Sequence, residues 1–217
     1  MLTAALIASL ALCAPASRAG VHVPVTAMPT DSTLQSIYAR GITFAQFVDQ
    51  AVARREGWLR LQRDAVVSAS LIARARAVGG SWQLLVVARD GCGDSMNSVP
   101  YAARLADSVP GLRLRIVTPD DGAPAAATHR TQDGRMATPT FILLNAAGAD
   151  VGCVVELPAP LRQWTDAHRA TVSGDSLHSY RNLFYARDAG ASLSTELVEV
   201  LEAARAGRPQ CDRQITR

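Results

Sequence analysis

The chain has 217 residues, with 22 positively charged side chains, 19 acidic ones and a formal net charge of +3. All of the positive residues are arginine, and the absence of lysine excludes a Walker-type phosphate loop, a pyridoxal Schiff base and a lysine nucleophile. The charge is too small, and the arginines are too dispersed, to predict a nucleic-acid partner, while the length suits one domain with additions.

Residues 1–19 have the features of a secretory signal peptide. Leu2 to Ala14 is an apolar run of the length of a signal's hydrophobic region, and Ser17-Arg18-Ala19 offers a cleavage site before Gly20. We therefore expect export to the periplasm or the medium, with no stable membrane insertion after cleavage. The alternative is a protein that an uncleaved signal anchors in the membrane.

The next part of the chain is predicted to be an arm followed by helices. Residues 20–42 are interpreted as a linker or loose arm, because the stretch before Thr30 contains prolines and little periodicity. Thr43 is a predicted helix N-cap, since Gln46 completes a capping box and apolar residues continue on one face as far as Val52. A second helix is predicted from Ala65 to Val78, so residues 43–80 form a helical N-terminal extension.

The middle of the chain alternates between strand and helix patterns. Strands are predicted at residues 82–88, 112–117, 141–145 and 151–156, and helices at residues 94–107, 123–131 and 159–171. This order predicts an α/β core over residues 81–172 with a central mixed sheet. Residues 173–217 are predicted to be a C-terminal helical extension, with helices at residues 176–188 and 194–205.

Cys92 is the candidate for chemical activity, because it lies where the first predicted strand ends and a helix begins. Free backbone N–H groups and the positive end of the helix dipole favour a thiolate at such a junction. The thiolate is the nucleophile of thiol–disulfide exchange, so Cys92 is a candidate redox residue. The alternative is a buried and inert cysteine.

This junction resembles the active site of the thioredoxin superfamily. Pro100 lies eight residues after Cys92, where thioredoxins kink the corresponding helix, and Ala137-Thr138-Pro139-Thr140 is similar to the family's cis-proline loop. The resemblance, which extends to bacterial thioredoxin-like proteins, implies a thioredoxin-like sheet flanked by helices. It also implies that Pro139 is cis and that the backbone of Thr138 faces Cys92 to hold the substrate.

The active-site motif departs from the family pattern at several positions. Thioredoxins have Cys-Gly-Pro-Cys, whereas this chain has Asp94 in place of the proline and Ser95 in place of the second cysteine. Gly91 replaces the usual tryptophan, and Val86 replaces the buried acid that carries protons in the family. Without a resolving thiol, Cys92 is predicted to act as a monothiol, and the charge of Asp94 opposes the effect of the helix dipole on it.

Two functions of different classes follow from this motif. The first is thiol–disulfide exchange through Cys92, with Ser95 hydrogen-bonded to its thiolate and with Gly91, Gly93, Asp94, Thr138 and Pro139 contacting the substrate. The partners would be protein thiols and disulfides or a low-molecular-weight thiol, and no cofactor is implied. The alternative is a non-catalytic thioredoxin-like scaffold that binds a peptide or protein partner.

The other cysteines and the histidines complete the candidate residues. Signal cleavage removes Cys13, and we predict that Cys153 and Cys211 then pair in a structural disulfide in an oxidising compartment. The alternative is that one of them resolves mixed disulfides formed at Cys92. The spacing of the histidines fits no metal site, so no metal is predicted.

Overall fold

The computed structural model describes residues 31–211, which form a five-stranded mixed sheet with helices on both faces. The predicted α/β architecture with a central mixed sheet and added helices is confirmed. The predicted signal peptide and the first part of the predicted arm lie outside the described residues. Among residues 31–211, no helix is both long enough and apolar enough to cross a bilayer.

Nine helices and five strands make up the described part of the chain. The helices are α1 Asp31–Arg40, α2 Phe44–Gln50, α3 Arg55–Asp64, α4 Ala69–Val78, α5 Gly93–Ser108, α6 Ala123–Thr128, α7 Ala159–His168, α8 Gly174–Asp188 and α9 Ala191–Arg205. The strands are β1 Trp82–Val87, β2 Leu112–Val117, β3 Thr140–Leu144, β4 Asp150–Val155 and β5 Gln210–Cys211.

The strands are arranged in the order β2-β1-β3-β4-β5. Strands β1 and β2 are parallel, β3 is antiparallel to both β1 and β4, and the short β5 is parallel to β4. Successive residues of β1 are buried on opposite faces, with Leu84 and Val86 in one core and Leu85 and Val87 in the other. This double burial explains why β1 is a continuous apolar run rather than an alternating one.

Helices from both ends of the chain complete the two cores. Residues of α2, α3, α4, α5 and α9 pack against one face of the sheet, whereas α1 and α6 pack against the other. The arm predicted over residues 20–42 is therefore wrong for its second part, because residues 31–40 form α1. Leu34, Ile37 and Tyr38 share one side of this helix and are buried against the sheet, which stabilises it.

The N-terminal helical extension differs from the prediction in where its helices end. The capping box of Thr43 and Gln46 is present, but α2 ends at Gln50 and leaves Val52 86% exposed. The chain leaves the helix there because a carboxylate oxygen of Asp90 accepts hydrogen bonds from the N–H groups of Val52 and Ala53, at 3.0 and 2.9 Å. The segment that follows forms α3, which the sequence did not predict, and the helix expected from residue 65 begins at Ala69.

Candidate functional site

Cys92 is the N-cap of α5, immediately after the loop that leaves β1. Its backbone is extended, and its Sγ accepts a hydrogen bond from the backbone N–H of Ser95 at 3.4 Å. Cys92 is partly exposed and is the free cysteine among the described residues. The sulfur is thus accessible, and it lies at the positive end of a 16-residue helix.

The loop before β3 approaches Cys92 from the opposite side. The Thr138–Pro139 peptide bond is cis, and the thiol of Cys92 donates to the carbonyl oxygen of Thr138 at 3.2 Å. Pro139 is buried and its carbonyl accepts from the N–H of Glu156 at 2.8 Å, which fixes the loop to the end of β4. Thr138 is only half-buried, so its backbone borders the surface next to the sulfur.

Asp94, which was expected among the substrate-contacting residues from its place in the motif, is instead buried against α8. Its carboxylate is nearly buried and accepts hydrogen bonds from Arg181 Nη1 at 2.9 Å and from the Tyr185 hydroxyl at 3.0 Å, both on α8. Burial raises the pKa of Asp94 even though the charge of Arg181 and the hydrogen bond of Tyr185 oppose this effect. Burial, together with the nearby charge of Asp94, raises the pKa of Tyr185 well above its usual value.

Ser95 contributes its backbone rather than its side chain to Cys92. Its hydroxyl is fully buried and forms no hydrogen bond within the part of the chain that the structure describes. Gly91 is exposed and Gly93 partly exposed, so both border the sulfur at the surface. Val86 is buried in the core beneath this loop, at the position for which the family implies an acid.

Three residues that sequence reasoning missed hold the Cys92 loop from the N-terminal side. Asp90 binds the N–H groups before α3, and the hydrogen bond from Ala53 makes the largest contribution to lowering the pKa of its carboxyl. Trp58 of α3 is fully buried and donates its indole N–H to the carbonyl of Asp90 at 2.9 Å. Arg54 donates its Nε–H to the carbonyl of Gly91 at 2.9 Å, which places a guanidinium over the loop.

A group of charged side chains borders the cis-proline loop. Arg135 binds Glu156 at 3.0 Å and Asp133 at 2.8 Å, and Arg169 also contacts Asp133. The hydrogen bond from Arg135 is the largest of the effects that lower the pKa of Asp133. These ion pairs fix the chain that leads to Met136, which is 53% exposed beside the loop.

The predicted pairing of Cys153 with Cys211 is present as a disulfide between β4 and β5. His129 lies beside it, and its ring and the two sulfurs come within 4.8 Å of one another. In the described residues this group has the composition of a metal site, but both sulfurs are used by the disulfide. The sequence did not reveal the cluster, because His129 and Cys153 belong to different elements.

The residues that hold Asp94 left little signal in the sequence. Arg181 and Tyr185 are 87 and 91 residues away from Asp94, and a helix with an arginine and a tyrosine four positions apart is common. The available signal was Asp94 itself, because an acid at the start of a packed helix needs partners for its charge.

A family model described as thioredoxin matches residues 41–170, which is more than half of the chain. No curated protein sequence matches the chain significantly.

Two crystal structures have a similar fold. The first, a protein of unknown function from Pseudomonas aeruginosa, is 19% identical with a TM-score of 0.61, and the match covers 78% of this chain and 97% of that one. The second, an HIV epitope scaffold, is 19% identical with a TM-score of 0.56, and the match covers 80% of this chain and 97% of that one.

Proposed function

This chain belongs to the thioredoxin family, and from that premise we propose that it carries out thiol–disulfide exchange through Cys92 alone. The observation that carries the proposal is the position of the Cys92 sulfur. It lies between the N–H of Ser95, at 3.4 Å, and the carbonyl of Thr138, at 3.2 Å. The start of α5 places a backbone N–H at the sulfur, and the half-buried Thr138 backbone offers a surface beside it for an extended substrate.

The exchange requires two external sulfur compounds. The Cys92 thiolate attacks one sulfur of a substrate disulfide, forms a mixed disulfide and releases the other sulfur as a thiolate. A second external thiolate then attacks the substrate sulfur of that mixed disulfide, which regenerates the Cys92 thiolate. Ser95 provides no thiol for this second step, so a protein thiol or a low-molecular-weight thiol resolves the intermediate.

The test follows this mixed disulfide directly. The chain is incubated with oxidised glutathione, and the modified cysteine is located by mass spectrometry of a non-reduced digest. We expect glutathione on Cys92, its release on addition of reduced glutathione, and no modification of the matched peptide in the variant Cys92→Ser. A Cys92 that is alkylated no faster than free cysteine at every pH tested, and that forms no mixed disulfide, contradicts the proposal.

A binding scaffold is the second candidate function. It is favoured by the residues that replace the family's redox groups, because Ser95 provides no resolving thiol and the buried Val86 provides no acid to carry protons. In this case the same surface would hold an extended peptide without reacting. A peptide that binds equally well to the chain and to its Cys92→Ser variant, together with the absence of a mixed disulfide, would support the scaffold.

The proposal includes export through residues 1–19. It is supported by the apolar run before Gly20 and by the Cys153–Cys211 disulfide, which is the form expected in an oxidising compartment. Expression of the full chain in a bacterial host, followed by fractionation and mass measurement, tests it. We expect a periplasmic protein with the mass of a chain that starts at Gly20. A full-length protein in the membrane fraction contradicts cleavage.

A further inference from the structure

The two sulfurs of the Cys153–Cys211 disulfide differ in their surroundings. Cys153 is 3% exposed on β4, whereas Cys211 is partly exposed on β5, the outermost strand of the sheet. The two residues are direct partners in the strand register. Cys211 is thus the more exposed of the two residues, so an external thiolate reaches its sulfur more readily than that of Cys153, and attack there expels Cys153 as the leaving thiolate.

The buried sulfur of Cys153 has a histidine beside it. The His129 ring is 1% exposed and lies within 4.8 Å of both sulfurs. Its Nδ1 lies 2.8 Å from the carbonyl oxygen of Ala125, and its Nε2 lies 3.0 Å from Oδ2 of Asp150. The hydroxyl of Thr128 also contacts Nδ1, and it has the same carbonyl of Ala125 as an acceptor.

These contacts assign the protons of the ring. A carbonyl oxygen and an ionised carboxylate can only accept hydrogen bonds, so both nitrogens of His129 carry a proton when Asp150 is charged. The ring is then an imidazolium paired with Asp150. The His129 side chain is 1% exposed and the Asp150 side chain 16% exposed, so the charge of the ring lies in a largely buried setting beside the sulfur that a reaction at the disulfide would release.

We propose that Cys153, Cys211 and His129 form a second redox site, distinct from Cys92, whose disulfide exchanges with dithiol reductants. One thiolate of the dithiol attacks Cys211, forms a mixed disulfide and releases the Cys153 thiolate beside the imidazolium. The second thiolate of the reductant then attacks its own sulfur in the mixed disulfide, which releases Cys211 and leaves the reductant as a cyclic disulfide. Two electrons pass to the protein, one proton of the dithiol ends on Cys211 and the other is released to solvent, so that Cys153 remains a thiolate beside the imidazolium.

The imidazolium sets the direction of the expected effect. A positive charge beside the new thiolate stabilises the reduced form, so it raises the equilibrium constant for reduction. His129→Gln keeps a side chain that can donate to the Ala125 carbonyl but carries no charge. We therefore expect this substitution to make the disulfide harder to reduce.

The experiment uses the full chain with Cys13→Ser and Cys92→Ser, so that Cys153 and Cys211 are its only cysteines. The protein is equilibrated with mixtures of reduced and oxidised dithiothreitol and a chelator, quenched with acid, and alkylated, and free thiols are counted by mass. We expect His129→Gln to lower the equilibrium constant for reduction about tenfold, or about 30 mV for two electrons. The matched control His178→Gln, on the exposed part of α8, is expected to leave the constant unchanged.

Several results would overturn the proposal. One is an equilibrium constant for reduction of the His129→Gln disulfide that lies within about twofold of the parent value, instead of about tenfold below it. Another is a parent disulfide that opens only after denaturation. If the histidine variant does not fold, the test is the cysteine of the parent protein on which a monothiol forms a mixed disulfide. A monothiol trapped on Cys211 supports the mechanism, whereas one trapped on Cys153 contradicts it. Since Cys92 is absent from every variant, a failure of the proposed Cys92 chemistry cannot produce or hide these results.

Discussion

At the scale of single residues, Asp94 is the substitution in the active-site motif with the largest structural consequence. In the family pattern a proline stands at this position, whereas here a carboxylate enters the protein and binds Arg181 and Tyr185. A buried charge destabilises the fold unless it is paired and hydrogen-bonded. The motif of this chain therefore depends on side chains of α8 that are distant in the sequence.

The raised pKa of Asp94 predicts a pH dependence of stability. Because the folded protein binds a proton at Asp94 more tightly than the unfolded chain does, the stabilisation is fully present below the ordinary value of 3.8 and is lost as the pH rises through the folded pKa. We expect the free energy of unfolding of the natural protein, relative to Asp94→Asn, to fall as the pH rises above 3.8 and through the raised pKa of the folded state. Urea denaturation followed by circular dichroism measures this difference, and a flat or rising difference contradicts it.

The position of Ser95 leads us to expect that a cysteine there would give the protein a dithiol site. Its backbone N–H already reaches the Cys92 sulfur, and its buried hydroxyl has no partner within the described residues. We expect Ser95→Cys to form a disulfide with Cys92 in a glutathione redox buffer. The reduction of insulin with dithiothreitol as donor should rise about tenfold, because the mixed disulfide is then resolved within the chain.

The matched control for this variant is Ser98→Cys. Ser98 is also buried on α5 but lies six residues after Cys92, beyond the first turn of the helix. It should form no disulfide with Cys92 and give no gain in insulin reduction. Equal activity of the two variants would show that the added thiol does not act through the N-terminus of α5.

At the scale of elements, two separate segments hold the start of α5. On one side, α3 binds the loop before α5 through Trp58 and packs on α5 itself at Gly57, where a Cβ would overlap the Met96 sulfur. On the other side, α8 contacts it through the side chains that bind Asp94. The helix that carries Cys92 is thus positioned by α3, which lies within the segment that the family model matches, and by α8, which lies after that segment.

The contribution of the contact between α8 and Asp94 to the free energy of unfolding can be measured at Tyr185. Tyr185→Phe removes the hydroxyl that donates to Asp94 in a buried setting, so we expect the free energy of unfolding to fall by about 1–3 kcal/mol. Tyr180→Phe on the same helix is the control, because Tyr180 stacks on Trp164 through its ring and a phenylalanine retains that contact. Chemical denaturation of the two variants provides the comparison, and equal losses would assign the effect to the helix surface rather than to Asp94.

At the scale of the whole molecule, the added helices belong to the same hydrophobic core as the sheet. The cluster on one face joins Trp58 of α3 and Leu197 of α9 to Leu84 of β1 and Leu105 of α5. A chain limited to residues 81–172 would expose the surfaces that these helices cover. We therefore expect that this segment is not a separate folding unit.

This packing predicts the behaviour of a fragment. Residues 81–172 alone lack α3, α4, α8 and α9, so we expect no cooperative thermal transition and increased aggregation. The chain from Gly20 onwards should unfold in one transition. Circular dichroism and light scattering on the two proteins test this, and a fragment that unfolds cooperatively with native-like near-UV signals would contradict it.

Much of the fold could be predicted because local patterns carried it. The strand expected at residues 112–117 is β2 with the same limits, and Thr43 with Gln46 forms the expected capping box. By contrast, α3 is a largely polar ten-residue segment, so its short amphipathic face, with Trp58 and Leu61 buried, did not stand out in the sequence. β5 has two residues and is defined by its pairing with β4, which no local signal specifies.

The candidate site could be predicted where it is local and not where it is assembled from distant residues. The position of Cys92 at a helix start and the loop before β3 follow from short motifs. Arg54, Arg181 and His129 come to their positions only through the packing of separate elements. One sequence without that packing gives no reason to select these residues from the others of their kind.

The disulfide that joins β4 to β5 also has a consequence for synthesis, because its two cysteines are far apart in the order of translation. Cys211 follows Cys153 by 58 residues, and three helices are translated between them. Cys92 and Cys153 have therefore both left the ribosome while the native partner of Cys153 does not yet exist. If oxidation begins before synthesis or translocation is complete, the first pair that can form is a wrong one. The yield of the native protein then depends on late oxidation or on an isomerase that frees Cys92 again.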